Sequence, residues 1–227
     1  MFELSLLQKI AIWALPVLFA ITLHEVAHGW MARRFGDRTA EMMGRLTLNP
    51  VRHIDPVGTV IVPLALLALG TGFLFGWAKP VPVAQQNLGK PRRDMAIVAA
   101  AGPLSNIAQA IAWAVIAKIA ILAGLAYVSV PLALMGVAGV IINVVLAVLN
   151  LLPVPPLDGG RVASNLLPPH ISDRFDRLEP FGLLRLVGLL ATGVLGQVLG
   201  PPVNYVTSLV FMIVGPEALY FLQLLLG

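Results

Sequence analysis

Long apolar runs constrain this chain more than anything else in it. A helix needs about 20 consecutive apolar residues to cross the hydrocarbon core of a bilayer. Five stretches meet that need: 10–34, 95–125, 130–152, 181–199 and 203–226. A sixth, 58–76, is apolar but interrupted by Pro63, Gly70 and Gly72. Of the 227 residues, 58% are hydrophobic and only 11% charged, with a mean hydropathy of +0.89. A water-soluble domain of this length could not bury so much apolar surface. The expected architecture is an all-α polytopic membrane protein of five to six transmembrane helices, folded as one membrane-embedded domain over 1–227.

The charges fix how such a chain is threaded. The net charge is +4, and the basic residues gather between the apolar runs, in 33–56, 79–94 and 158–185. Cations in those places set topology, so they are not read as a nucleic-acid surface. If 58–76 crossed fully, the first two basic stretches would lie on opposite faces of the membrane. If it dips in and returns, all three share one face, and the uncharged turns near 126–130 and 200–203 fall on the other. The positive-inside rule then favours a re-entrant 58–76 with the basic face in the cytoplasm. Prolines and glycines in that segment suit non-helical backbone shielded by protein. The polar stretch 171–180, ISDRFDRLEP, reads as a short helix lying at the interface. The first run carries Glu3 ahead of Lys9 and no small-residue cleavage site, so it is expected to stay in the mature protein. Cysteine is absent, which excludes disulfides and thiolate metal sites.

One group of ionisable residues lies inside the first run. Residues 24–28 read HEVAH. On a helix, His24 and His28 fall on one face and can chelate one metal ion, while Glu25 sits about 100° round, within reach of a water on that metal. Zinc so held acidifies the water and the glutamate accepts its proton. Polar groups at membrane depth are costly enough that a satisfied but metal-free trio is the weaker reading. A catalytic zinc takes a third protein ligand and keeps one position open. His53, Asp158 and His170 are candidates, with Asp55 behind them. Asp158 lies in NLLPVPPLDGGR, just past the third run, where paired prolines and glycines can turn a carboxylate back into the protein. With 58–76 re-entrant, the first and third runs point the same way, so Asp158 and the histidines approach the same face. A full crossing would put them apart.

The chain resembles the site-2 protease family of intramembrane metalloproteases, in its short bacterial and archaeal branch. HEVAH (24–28), AGPLSN (101–106) and NLLPVPPLDGG (150–160) occur in the order that family uses, and the likeness spans about 8–165. By this resemblance His24, His28 and Asp158 ligate one zinc ion, Glu25 is the general base, and Asn106 and Asn150 position substrate backbone. From the residues alone, both asparagines could equally bond neighbouring helices, and Asn143 reads as packing. His53 stays open as a residue supporting the ligands, or as an alternative ligand. The chain departs from the better-known branch in having no loop long enough for a PDZ domain and no nucleotide-sensing domain. Control is then expected from a separate regulatory membrane protein, or from none. The expected partners are a substrate transmembrane helix and the lipid bilayer, with no nucleic acid, in a prokaryotic plasma membrane.

Three other readings compete. A metal transporter or channel would string ionisable residues along several spans, whereas here they cluster at one depth. A catalytically inactive scaffold has no need of Glu25. A zincin cutting prenylated or soluble peptides would draw its third ligand from a later helical glutamate, and Glu179 and Glu217 sit in no fitting motif.

Overall fold

The computed structural model describes residues 4–68, 76–125 and 127–226, and no strand occurs among them. Its first helix, α1 (Leu6–Arg34), opens with a reciprocal cap in which the Ser5 hydroxyl accepts from the Gln8 amide and the Gln8 side chain accepts from Ser5 N–H. A short α2 (Thr39–Met42) follows, and then α3 (Val62–Ala68). The bundle proper is α4 (Pro91–Ala123) and α5 (Ser129–Asn150). After them come α6 (Asp158–Leu166), α7 (Pro169–Asp176), α8 (Gly182–Ala191), α9 (Val194–Val214) and α10 (Glu217–Leu226). α4 is the central element, packing against α5, α1 and α6. Alanine and glycine at the α4–α5 contact, with Val137, Val140 and Val144 fully buried, let the backbones approach closely.

Four of the described helices, α1, α4, α5 and α9, are long and apolar enough to cross a bilayer. The expected spans at 181–199 and 203–226 are divided differently. The breaks fall at Gly193 (φ 74°) and Gly215 (φ 96°), and α9 runs straight through Pro201 and Pro202. A left-handed glycine ends a helix outright, whereas an internal proline forfeits one hydrogen bond, a loss that membrane helices absorb.

The 58–76 segment includes residues 69–75, which lie outside the described residues. Its two ends are tied together. Trp77 N–H donates to the Gly58 carbonyl at 3.1 Å, the Thr59 hydroxyl donates to the Trp77 carbonyl at 2.8 Å, and Lys79 N–H donates to the His53 carbonyl at 2.9 Å. A segment whose entry and exit touch cannot traverse about 30 Å of hydrocarbon between them. Beyond it, 76–84 is extended and pinned along its length. Arg45 donates to the Lys79 carbonyl at 2.7 Å, and Asp37 accepts from Ala84 N–H at 2.7 Å.

Asp37 clamps this region from beneath. Besides Ala84, its carboxylate accepts from the Thr39 amide and hydroxyl and from Asn87 Nδ2. Burial alone would raise its pKa, but the donors from Thr39, Ala84 and Asn87 outweigh that and hold the carboxyl below its ordinary value. A depressed folded-state pKa adds stability above the unfolded-state value, near pH 4, that is lost as the pH falls toward the folded one. Thermal denaturation in detergent should therefore show an acid-sensitive component below about pH 4. Asp37→Asn should lack it, with about 1–3 kcal/mol lower stability at neutral pH from donors left unpaired.

Candidate metal centre

The site lies where two small-residue stripes meet. On α1, Ala20, His24, His28 and Ala32 recur every fourth residue and are buried. α4 presents Val98, Gly102 and Asn106 at the same interval. Gly102 faces the histidine rings so closely that an added Cβ would stand 2.4 Å from His28 Nε2 and 2.7 Å from His24 Cε1.

Both rings are oriented from behind. His24 Nδ1 lies 2.6 Å from Asn106 Oδ1, and His28 Nδ1 lies 2.8 Å from the Val98 carbonyl. Oxygens of this kind only accept, so each Nδ1 carries a proton, and in the neutral ring each Nε2 presents a lone pair. Asp158 Oδ2 reaches them at 3.1 Å from His24 Nε2 and 3.2 Å from His28 Nε2, and the two nitrogens are 3.1 Å apart. Asp158 Oδ2 is buried, and those two ring nitrogens are its polar neighbours there. With both rings neutral, three lone pairs converge, an arrangement that a cation resolves. Donor atoms of a tetrahedral zinc site with bonds of about 2.0–2.1 Å stand roughly 3.3 Å apart, so the set fits zinc in both chemistry and spacing.

Asp158 owes its place to a loop and a helix. Residues 151–157 leave the end of α5 and make Asp158 the first residue of α6, where the helix dipole favours a carboxylate. The far end of α6 is held by Arg92 of α4, which donates to the carbonyls of Ser164 (3.1 Å), Asn165 (3.3 Å) and Leu167.

A cavity of about 150 Å³ is lined by His24, His28 and Asp158, and also by Glu25, Val81, Met95, Asn150 and Arg161. Glu25 Oε2 accepts from Val81 N–H at 2.7 Å, which ties the carboxylate to the extended 76–84 strap and leaves Oε1 for the cavity. Asn150 lines the cavity and anchors its own amide on the Leu146 carbonyl at 3.0 Å. Asn106 does not reach it: the side chain is fully buried, and its amide is spent on His24, Ala20 and Asn143. α4 turns Asn106 toward α1, where it contacts the His24 ring.

His53 is not drawn to the cluster. Its Nε2 donates to the Thr47 carbonyl at 2.9 Å, under the strap, and the ring is buried. His170 is exposed on α7, and Asp55 caps the turn that follows it, accepting from Val57 and Gly58 amides. No local sequence pattern marks Val81, which donates to Glu25, and for Gly102 the four-residue spacing to Asn106 is the only hint of its role.

Apolar spans carrying a buried His–His–Asp set beside a glutamate define a membrane-embedded metallohydrolase. Comparison with known proteins narrows the class. The Peptidase family M50 model matches residues 115–178. The chain is 36% identical over 206 residues to the Bacillus subtilis protein named "Putative zinc metalloprotease YwhC", covering 89% of each. Two mycobacterial proteins described in the same words, both called Rip2, are also similar. The Mycolicibacterium smegmatis protein is 34% identical over 181 residues, 79% of this chain and 66% of that one. The Mycobacterium tuberculosis protein is 33% identical over 188 residues, 81% and 68%. No solved structure matches. The chain belongs to peptidase family M50, the site-2 proteases, and is a membrane-embedded metalloprotease.

Proposed function

We propose that the protein is an intramembrane zinc metalloendopeptidase that cuts transmembrane or membrane-edge segments of other proteins. The observation that carries this reading is the convergence of His24 Nε2, His28 Nε2 and Asp158 Oδ2 within 3.2 Å of one another, on apolar helices and beside Glu25. One zinc per chain held by those three atoms would acidify water and polarise the scissile carbonyl. Glu25 takes a proton from the attacking water at Oε1, its other oxygen being steadied by Val81 N–H. Asn150, which lines the same cavity, meets the substrate backbone. A helical substrate protects its amides with its own hydrogen bonds, so the segment must unwind beside the strap before its carbonyl is exposed.

The whole described chain acts as one domain, with the catalytic core over about 8–165. The basic stretches support a cytoplasmic opening for the site, in a prokaryotic plasma membrane. The first test has two parts. Detergent-purified protein should hold about one zinc per chain by mass spectrometry, unchanged in His53→Ala. Reconstituted in liposomes, it should cleave a reporter whose scissile bond lies within a transmembrane segment. A protein that takes up no zinc on reconstitution with the metal, or cleaves no such reporter when loaded, would return the choice to a scaffold or transporter.

A further inference from the structure

Behind His24 the hydrogen bonding continues to a residue that none of the three motifs contains. Asn106 Nδ2 donates to the Ala20 carbonyl at 3.1 Å and to Asn143 Oδ1 at 2.8 Å. Asn143 is itself fixed, since its Nδ2 donates to the Gly139 carbonyl at 2.9 Å. Both asparagines are fully buried. The chain of donors has one direction. Gly139 can only accept, so Asn143 turns its oxygen toward Asn106. Asn106 then turns its NH₂ toward Asn143 and Ala20 and its oxygen toward His24. That oxygen requires a proton on His24 Nδ1, which leaves Nε2 free to ligate.

We propose that Asn143, through Asn106, is a positioning residue that sets the ring orientation and tautomer of His24, an inference resting on the zinc role proposed above. Partners behind a metal-bound histidine usually matter about 10- to 100-fold in affinity. Asn143 stands one residue further out, where simple helix packing would otherwise be the whole explanation.

The donor–acceptor logic separates the two. Asn143→Leu removes the acceptor and leaves an Asn106 N–H unpaired, so zinc affinity should fall by about tenfold. Asn143→Asp, kept protonated by its burial, can donate its hydroxyl to the Gly139 carbonyl and accept from Asn106 with its other oxygen, and should stay within about twofold of wild type. In an Asn106→Asp background the sign changes. A carboxylate has no N–H to offer, so Asn143 Oδ1 faces another oxygen, and Asn143→Leu should there cause no loss or a gain. Equal losses from Asn143→Leu in both backgrounds, or equal losses from Asn143→Leu and Asn143→Asp, would reduce Asn143 to packing.

A second readout needs neither zinc nor substrate. In zinc-free protein labelled with ¹⁵N-histidine, His24 should show a single Nδ1–H tautomer, and Asn143→Leu should give a mixture. An unchanged tautomer signal would overturn the proposal even if the Asn106→Asp variant failed to fold. Absence of zinc binding in wild type would instead count against the proposed function, and leave the tautomer result to be judged by itself.

Discussion

Glu25→Gln is expected to keep about one zinc per chain and to lower peptide hydrolysis about a thousandfold. Glutamine preserves the size of the side chain, and its oxygen can still accept the Val81 N–H that holds Glu25 Oε2 at 2.7 Å. What it loses is basicity, so the attacking water keeps its proton. Glu25 is not among the three atoms that converge on the metal site, and zinc content should therefore be indifferent to the change. The measurement is cleavage of a transmembrane reporter in liposomes beside zinc content on the same preparation. Substantial proteolysis in the variant would remove Glu25 from the role of base. Loss of zinc would show that the Glu25–Val81 tie shapes the ligand geometry as well.

Gly102→Ala is expected to abolish zinc binding and, with it, activity. The new methyl would lie 2.4 Å from His28 Nε2 and 2.6 Å from His28 Cε1, well inside contact distance. The rings cannot retreat without breaking the Nδ1 bonds at 2.6 and 2.8 Å that hold them, so the lone pairs would no longer meet Asp158. Overpacking of this kind typically costs about 1–3 kcal/mol, and the melting temperature in detergent should fall too. Asp158→Ala provides the comparison. It removes a ligand without crowding the helices, so zinc should be lost with little fall in the melting temperature of the metal-free protein. If Gly102→Ala bound zinc with wild-type affinity, α1 and α4 could separate more easily than their packing implies.

How far the site was legible in advance differs residue by residue. His24 and His28 were legible because a four-residue interval on a helix is a local property: it puts both rings on one face whatever the rest of the chain does. Asp158 was legible only by depth and by resemblance, and a re-entrant 58–76 was the condition for it to meet the histidines. The closure of that segment by Gly58, Thr59 and Trp77 meets the condition. Asn106 was legible as a polar residue in an apolar run but not in its direction. The face it turns to α1 depends on how α4 is rotated in the bundle, and no period in one sequence encodes that. The last spans were misdivided because proline is a stronger helix breaker in water than in a membrane-embedded helix, while glycines that adopt positive φ look like any others in the sequence.

The sequence by itself determined the solvent, the helical class, and the paired histidines with their glutamate. Each follows from composition or from residues within one or two turns of each other. Only the tertiary structure decided what those groups touch. The bond from Glu25 to Val81 joins residues 56 apart, that from His24 to Asn106 joins residues 82 apart, and that from Asn106 to Ala20 joins residues 86 apart. Contacts at such separations arise when helices dock through small residues at fixed rotations. That docking, through Gly102 above all, aims the Nε2 atoms of His24 and His28 and Oδ2 of Asp158 at a single point.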